Sequence, residues 1–181
     1  YHPVTLEYED TELQVRGVLS ALEQSGMQMI ITYPNADTSG RQVLRLLESF
    51  VETHSNAKLL SSMGLIGYAS AMRHASAMVG NSSSGIIEAP SLCTGTVNIG
   101  DRQRGRVRAA SIIDCDSNEK SITAALEALL SYEFQINLKN VKNPHGSGNV
   151  SEKIVEVLCG HPLTDIVKKS FYDLLDTDKW K

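Results

Sequence analysis

Along this chain the apolar positions alternate between two spacings. Short runs of apolar or β-branched residues at 2–6, 27–33, 58–62, 77–80, 96–99 and 111–115 read as strands. The stretches between them follow the helical period. Leu13, Val18, Leu19 and Leu22 fall on one face of a helix that Asp10 or Thr11 caps and that closes near Gly26. Val43, Leu44, Leu47, Phe50 and Val51 line a second helix opening at Ser39 or Gly40. A shorter helix is predicted over 65–74, another after Ser83, and one with a clear apolar stripe over 119–130. Further on, Ile154, Val155 and Leu158 mark a helix over 150–158, and a final amphipathic helix is predicted over 163–175.

Short strands joined by single helices imply parallel pairing, because a parallel pair needs a crossover and a helix supplies it. The fold class is therefore α/β, a Rossmann-like parallel sheet flanked by helices, with 1–181 read as a single domain. Such sheets bind ligands at the carboxyl ends of their strands. Pro34-Asn35, the segment 81–85 and the segment 100–106 all leave predicted strand ends, so they can converge on one crevice. The polar segment 137–149, with Pro144, Gly146 and Gly148, reads as a loop within the domain and not as a linker.

Composition narrows the function classes. Of 181 residues, 41% are hydrophobic and 6% aromatic, enough for one domain with a substantial core. No apolar run is long enough to span a membrane and no signal peptide is visible, so no membrane partner and a cytoplasmic location are expected. Cys93, Cys115 and Cys159 are widely spaced and odd in number, which fits reduced thiols and gives neither a disulfide framework nor a metal site. A net charge of −4 and few aromatics argue against nucleic-acid binding.

The chemistry concentrates in 77–108. A predicted strand ends at Gly80-Asn81, and Ser82, Ser83, Ser84 and Gly85 follow before a helical pattern starts. Backbone N–H groups at a helix start lack internal partners and, with serine hydroxyls and the helix dipole, suit an anion. Gly85 would let the backbone approach that anion closely. Glu88 lies one turn after Ser84, about 6 Å along a helix axis, so a phosphate at the turn brings a ribose diol within reach of its carboxylate. The plainer alternative is a serine N-cap followed by a solvated glutamate. Arg102, Arg104, Arg106 and Arg108 then place four planar, bidentate donors in seven residues of a net acidic chain. Of the four, Arg102 and Arg106 are taken as the candidate ligand residues ahead of Arg104 and Arg108.

GNSSSGIIEAP and TVNIGDRQRGR together resemble the C-terminal nucleotide-binding half of the UDP-N-acetylglucosamine 2-epimerases, with the hydrolysing, N-acetylmannosamine-forming branch of sialic acid synthesis fitting best. The resemblance extends through Tyr1-His2-Pro3-Val4-Thr5, Tyr33-Pro34-Asn35-Ala36-Asp37 and His145-Gly146-Ser147-Gly148-Asn149, in the family's order. It implies the C-terminal lobe of a two-lobed GT-B-type enzyme, the N-terminal lobe being absent, with 161–181 a helix that crosses to that lobe. It also implies that Asn81, Ser82, Ser83, Ser84 and Gly85 hold the diphosphate and Glu88 the ribose. Arg102 and Arg106 would lie by the nucleotide, Asn35 would touch nucleotide or sugar, and His2 would be catalytic at the sugar-phosphate end. UDP and UDP-N-acetylglucosamine are the implied ligands, with no cofactor, and the intact enzyme is expected to be a homo-oligomer. The family's carboxylates that move the C2 proton belong to the other lobe. Val107 stands where related epimerases commonly carry glutamate after the GR pair, which weighs against the non-hydrolysing branch. A non-hydrolysing or diacetamido-sugar epimerase, and in another class the donor lobe of a glycosyltransferase, stay open as alternatives.

Overall fold

The computed structural model of the protein describes residues 1–36, 39–164 and 167–168. Every strand pair among them is parallel. β1 (Met29–Thr32) lies beside β2 (Ala57–Leu60), with Met29 opposite Ala57 and Thr32 opposite Leu60. β3 (Met78–Gly80), β4 (Thr96–Ile99) and β5 (Ile112–Cys115) form a second sheet in that order. The expected α/β arrangement of parallel strands and covering helices is present, with the strands divided between two sheets.

Helix α1 (Thr11–Ser25) holds the two halves of the core together. It packs on α2 (Gly40–Thr53) and also on a later helix over Glu119–Leu130. Its Val15 and Leu19 join Met29, Val43, Leu47 and Phe50, while Val18 and Ala21 join Val97 and Ile99 of β4 with Ile122, Leu126 and Leu129. β4 is buried at all four positions, as a strand covered on both faces must be. Full burial of side chains such as Ile99, Ile122 and Leu129 contributes about 1.5–3 kcal/mol each. Helix α3 (Gly64–His74) matches the predicted short helix to within a residue.

Three segments depart from the sequence reading. Residues 2–6 are not a strand: Pro3 has no N–H to give a ladder, and from Thr5 the chain coils into a 3₁₀ turn that runs to Asp10. The helix after Ser83 is a single turn, α4 (Ser84–Ile87), because Pro90 cannot donate to the helix and the chain tightens into 3₁₀ geometry over Ala89–Leu92. The core helix α5 (Glu119–Leu130) begins where predicted, with Asn118 Oδ1 accepting the Ser121 N–H at 2.9 Å. It is followed by a short α6 (Tyr132–Asn137) that the pattern does not signal.

The chain divides into two compact units, Tyr1–Gly146 and Ser147–Lys181, at the polar loop that the sequence reading leaves inside one domain. The described part of the second unit holds α7 (Val150–Gly160), covering the predicted 150–158. The helix expected over 163–175, and with it most of the crossing segment 161–181, lies outside the described residues.

Candidate functional site

Asn81, the first residue beyond β3, organises the site. It is fully buried, and its side-chain amide bonds the main chain of His2 in both directions: Nδ2 donates to the His2 carbonyl and the His2 N–H donates to Oδ1, each at 2.8 Å. The Asn81 carbonyl accepts Arg102 Nη1 at 3.0 Å and Gln103 Nε2 at 2.9 Å. The chain start, the turn after β3 and the arginine loop after β4 are thereby fastened at one residue. With its amide so occupied, the Asn81 side chain acts on the neighbouring loops.

His2 in turn reaches the loop after β1. Its Nδ1 accepts the Asn35 N–H at 3.1 Å, so in the neutral ring the proton sits on Nε2. Asn35 is exposed, and its carbonyl lies against the first residue of α2: a Cβ on Gly40 would stand 2.6 Å from that oxygen, so glycine is required there. Tyr1 is wedged beside them, its hydroxyl donating to Gln14 Oε1 at 2.8 Å. Burial, reinforced by the Glu7 carboxylate, pushes the Tyr1 phenol up to about 12, so it stays a neutral donor at physiological pH.

Ser82, Ser83 and Ser84 are partly exposed and continue directly from Asn81. The N–H groups of Ser82 and Ser83 make no hydrogen bond among the described residues. A single-turn helix has little macrodipole, so what this turn offers an anion is amide and hydroxyl donors. Gly85 has a packing role that its sequence position does not signal. It is buried against β4, where a Cβ would meet the Thr96 methyl at 2.6 Å, and its carbonyl accepts Thr96 Oγ1 at 2.9 Å. Glycine is needed there for packing on the strand. Glu88 is exposed at the end of α4.

The arginine segment is not extended. Arg104 N–H donates to the Asp101 carbonyl at 2.7 Å and Arg106 N–H to the Gln103 carbonyl at 3.3 Å, so the chain turns. Arg102 points inward to Asn81, while Arg104 and Arg106 are exposed. Arg108 braces the loop: Nε donates to Asp114 Oδ2 at 2.7 Å, and Nη1 to the carbonyls of Gln103 at 3.1 Å and Arg106 at 2.5 Å. Asp114 is held from the other side by buried Asn98, Nδ2 to Oδ1 at 2.6 Å.

Two residues escaped the sequence reading as contributors. Gln103 is buried beneath the loop, a polar side chain between arginines that carries no periodic signal. Asn143 donates to the Ile87 carbonyl at 2.8 Å and to Ser91 Oγ at 2.7 Å, and His145 Nε2 donates to the Val107 carbonyl at 3.0 Å. The turn bearing Glu88 and the end of the arginine loop are thus joined by residues 143–145. Hydrogen bonds therefore connect His2, Asn35, Asn81 and Arg102, and the serine turn continues directly into the turn that carries Glu88. Arg104 and Arg106 are exposed on the same loop. Among the described residues no helix is long and apolar enough to cross a membrane.

The family described as UDP-N-acetylglucosamine 2-epimerase matches residues 1–159. A GDP/UDP-N,N'-diacetylbacillosamine 2-epimerase (hydrolyzing) of Campylobacter jejuni is 41% identical over 177 residues, covering 96% of this chain and 46% of that protein. Polysialic acid biosynthesis protein P7 of Escherichia coli is 31% identical over 182 residues, covering 96% and 45%. The chain thus spans about half the length of the curated relatives it matches. Among solved structures, the Methanocaldococcus jannaschii UDP-GlcNAc 2-epimerase in complex with UDP-GlcNAc and UDP superposes with a TM-score of 0.62 at 19% identity, over 80% of this chain and 39% of that one. That likeness shows a shared fold, and the family match over most of the chain goes further: this protein belongs to the UDP-N-acetylglucosamine 2-epimerase family.

Proposed function

We propose that this chain is the nucleotide-binding half of a hydrolysing 2-epimerase that converts UDP-N-acetylglucosamine to UDP and N-acetylmannosamine. The observation that carries the reading is the clustering at Asn81, which draws His2, Asn35 and Arg102 around the serine turn at the carboxyl ends of β1, β3 and β4. In this reading the amides and hydroxyls of Ser82 and Ser83 bind the diphosphate, with Ser84 beside them. Arg102 and Arg106 flank the nucleotide, Glu88 accepts from both ribose hydroxyls, and Asn35 touches nucleotide or sugar. His2 faces the sugar-phosphate bond.

Cleavage of the sugar C1–O bond leaves its electron pair on the departing diphosphate, while loss of the C2 proton forms the C1=C2 double bond. Water then adds across that bond. Donors fixed before the bond breaks stabilise the developing charge without reorganising. The groups that exchange the C2 proton fall, by family resemblance, in the half of the enzyme that this chain does not include.

A second reading, in which the sugar is a diacetamido one, is supported by the diacetylbacillosamine relative at 41% identity. Incubating the full-length enzyme with UDP-N-acetylglucosamine and with UDP-N,N'-diacetylbacillosamine, and following free UDP and free sugar by NMR, separates the two. Release of UDP with N-acetylmannosamine supports the first, and release from the diacetamido substrate alone supports the second. A 2-epimer still attached to UDP would sink the hydrolysing mechanism for both.

A further inference from the structure

In a continuous α-helix the Ile87 carbonyl would accept the N–H of Ser91, four residues on. Here the Ser91 N–H donates instead to the Glu88 carbonyl at 3.0 Å, because the chain tightens at Pro90. The Ile87 carbonyl is left needing another donor. Asn143, 56 positions later, supplies it through Nδ2 at 2.8 Å. The same nitrogen donates to Ser91 Oγ at 2.7 Å, so one amide grips the turn on both sides of Glu88. Asn143 Oδ1 accepts the His145 N–H at 2.9 Å, and His145 Nε2 reaches the Val107 carbonyl at 3.0 Å, which secures the amide from behind. The Glu88 side chain is exposed and makes no hydrogen bond of its own among the described residues, so its place is set by the turn beneath it.

We infer that Asn143 is a positioning residue for nucleotide recognition: by holding the switch from α to 3₁₀ geometry it aims the Glu88 carboxylate at the ribose diol of a uridine nucleotide. This rests on the assignment of Glu88 to the ribose given above. Asn143 touches no ligand itself, and its contribution runs entirely through Glu88.

The test is calorimetric titration of the full-length enzyme with UDP and with 2′,3′-dideoxy-UDP, using Asn143→Ala, Ser91→Ala, Glu88→Gln and the Asn143→Ala/Glu88→Gln pair, with a melting curve for each. Asn143→Ala is expected to weaken UDP about tenfold, the loss of one charge-assisted contact, while dideoxy-UDP is unchanged within about twofold. The double variant is expected to bind UDP no worse than Glu88→Gln alone. Ser91→Ala, which removes one of the two contacts and leaves the fold intact, is expected to show the same preference at smaller size, and it carries the test if Asn143→Ala does not fold. Equal losses for both nucleotides, or losses that add in the double variant, would overturn the positioning role. So would an unaffected Asn143→Ala beside a diol-selective Glu88→Gln, and that result would leave the ribose assignment standing. If Glu88→Gln itself shows no diol selectivity, the ribose assignment falls and takes this inference with it.

Discussion

The side chain of Asn81 and the main chain of His2 form a reciprocal pair of hydrogen bonds, both 2.8 Å, across 79 positions of sequence. A primary amide presents one donor and one acceptor side by side, as the edge of a neighbouring strand does. Residue 2 is therefore held as it would be in a ladder, although no strand is formed there. Because the Asn81 carbonyl also receives Arg102 and Gln103, one buried residue sets the relative position of three loops.

Replacing that amide should be costly. Asn81→Ala removes two hydrogen bonds to the His2 main chain and truncates a fully buried side chain; such bonds contribute about 0.5–1.5 kcal/mol each, and the cavity adds to that. We expect a loss of about 2–4 kcal/mol, read as a lower urea midpoint at unchanged slope. Asn81→Asp keeps the acceptor but sets a carboxylate oxygen against the His2 carbonyl, so it should restore only part of the loss. A variant that unfolds with the wild type would show that the bracket does not support the fold.

Glu88→Gln keeps shape and removes charge. UDP binding should weaken by about tenfold or more, at least ~1.4 kcal/mol, with no change in melting temperature because the residue is exposed. Loss of the 2′ and 3′ hydroxyls from the nucleotide should abolish most of that difference. A Glu88→Gln protein that binds UDP normally would remove the carboxylate from the site.

The four arginines should separate by role. Arg108→Ala breaks contacts to Asp114 and to two loop carbonyls and should lower stability by about 1–2 kcal/mol. Arg104 has an exposed side chain, and Arg104→Ala should stay within about 0.5 kcal/mol of wild type. Chemical denaturation of the two proteins side by side checks the order, and equal effects would mean that the brace contributes nothing.

His54 gives a pH signature at the end of α2. Its ring stacks on Phe50 at 3.9 Å, its Nδ1–H donates to the Phe50 carbonyl at 2.7 Å, and its Nε2 lies 3.1 Å from Glu23. The backbone carbonyl first, and then Glu23, hold the imidazole pKa above its ordinary 6.5. A histidine raised on folding stabilises the protein below its unfolded pKa, and the contribution is lost as pH rises through the folded value. Stability should therefore fall from about pH 6.5 upward, and His54→Phe should remove that slope. An NMR titration of the ring placing its midpoint at or below 6.5 would contradict the geometry.

Periodicity was a good guide wherever local burial decided the structure. The α5 stripe of Ile122, Ala125, Leu126 and Leu129 is apolar on one face and nothing competes with it, and the predicted span 119–130 matches the helix at both ends. Residues 2–6 look like a strand because Val4, Thr5 and Leu6 favour extended structure, but the partner that fixes His2 is an amide far along the chain, and no local pattern announces it. The arginine loop carries no such local pattern either: what bends it is buried Gln103 and the grip of Arg108 on Asp114. Gly85 was legible as a required glycine, while its reason, the Thr96 methyl, is a contact between elements and is invisible to spacing.

β4 and β5 point the same way, so the chain must travel back along the sheet between Ile99 and Ile112. A helix commonly makes that journey, but here residues 100–111 do so without one. The arginines thus ride on the return path itself. Such a path has a minimum span, and cutting it short would drag β5 out of register before any charge was altered. The loop's chemistry can be rewritten one side chain at a time, but the sheet sets a floor to its length.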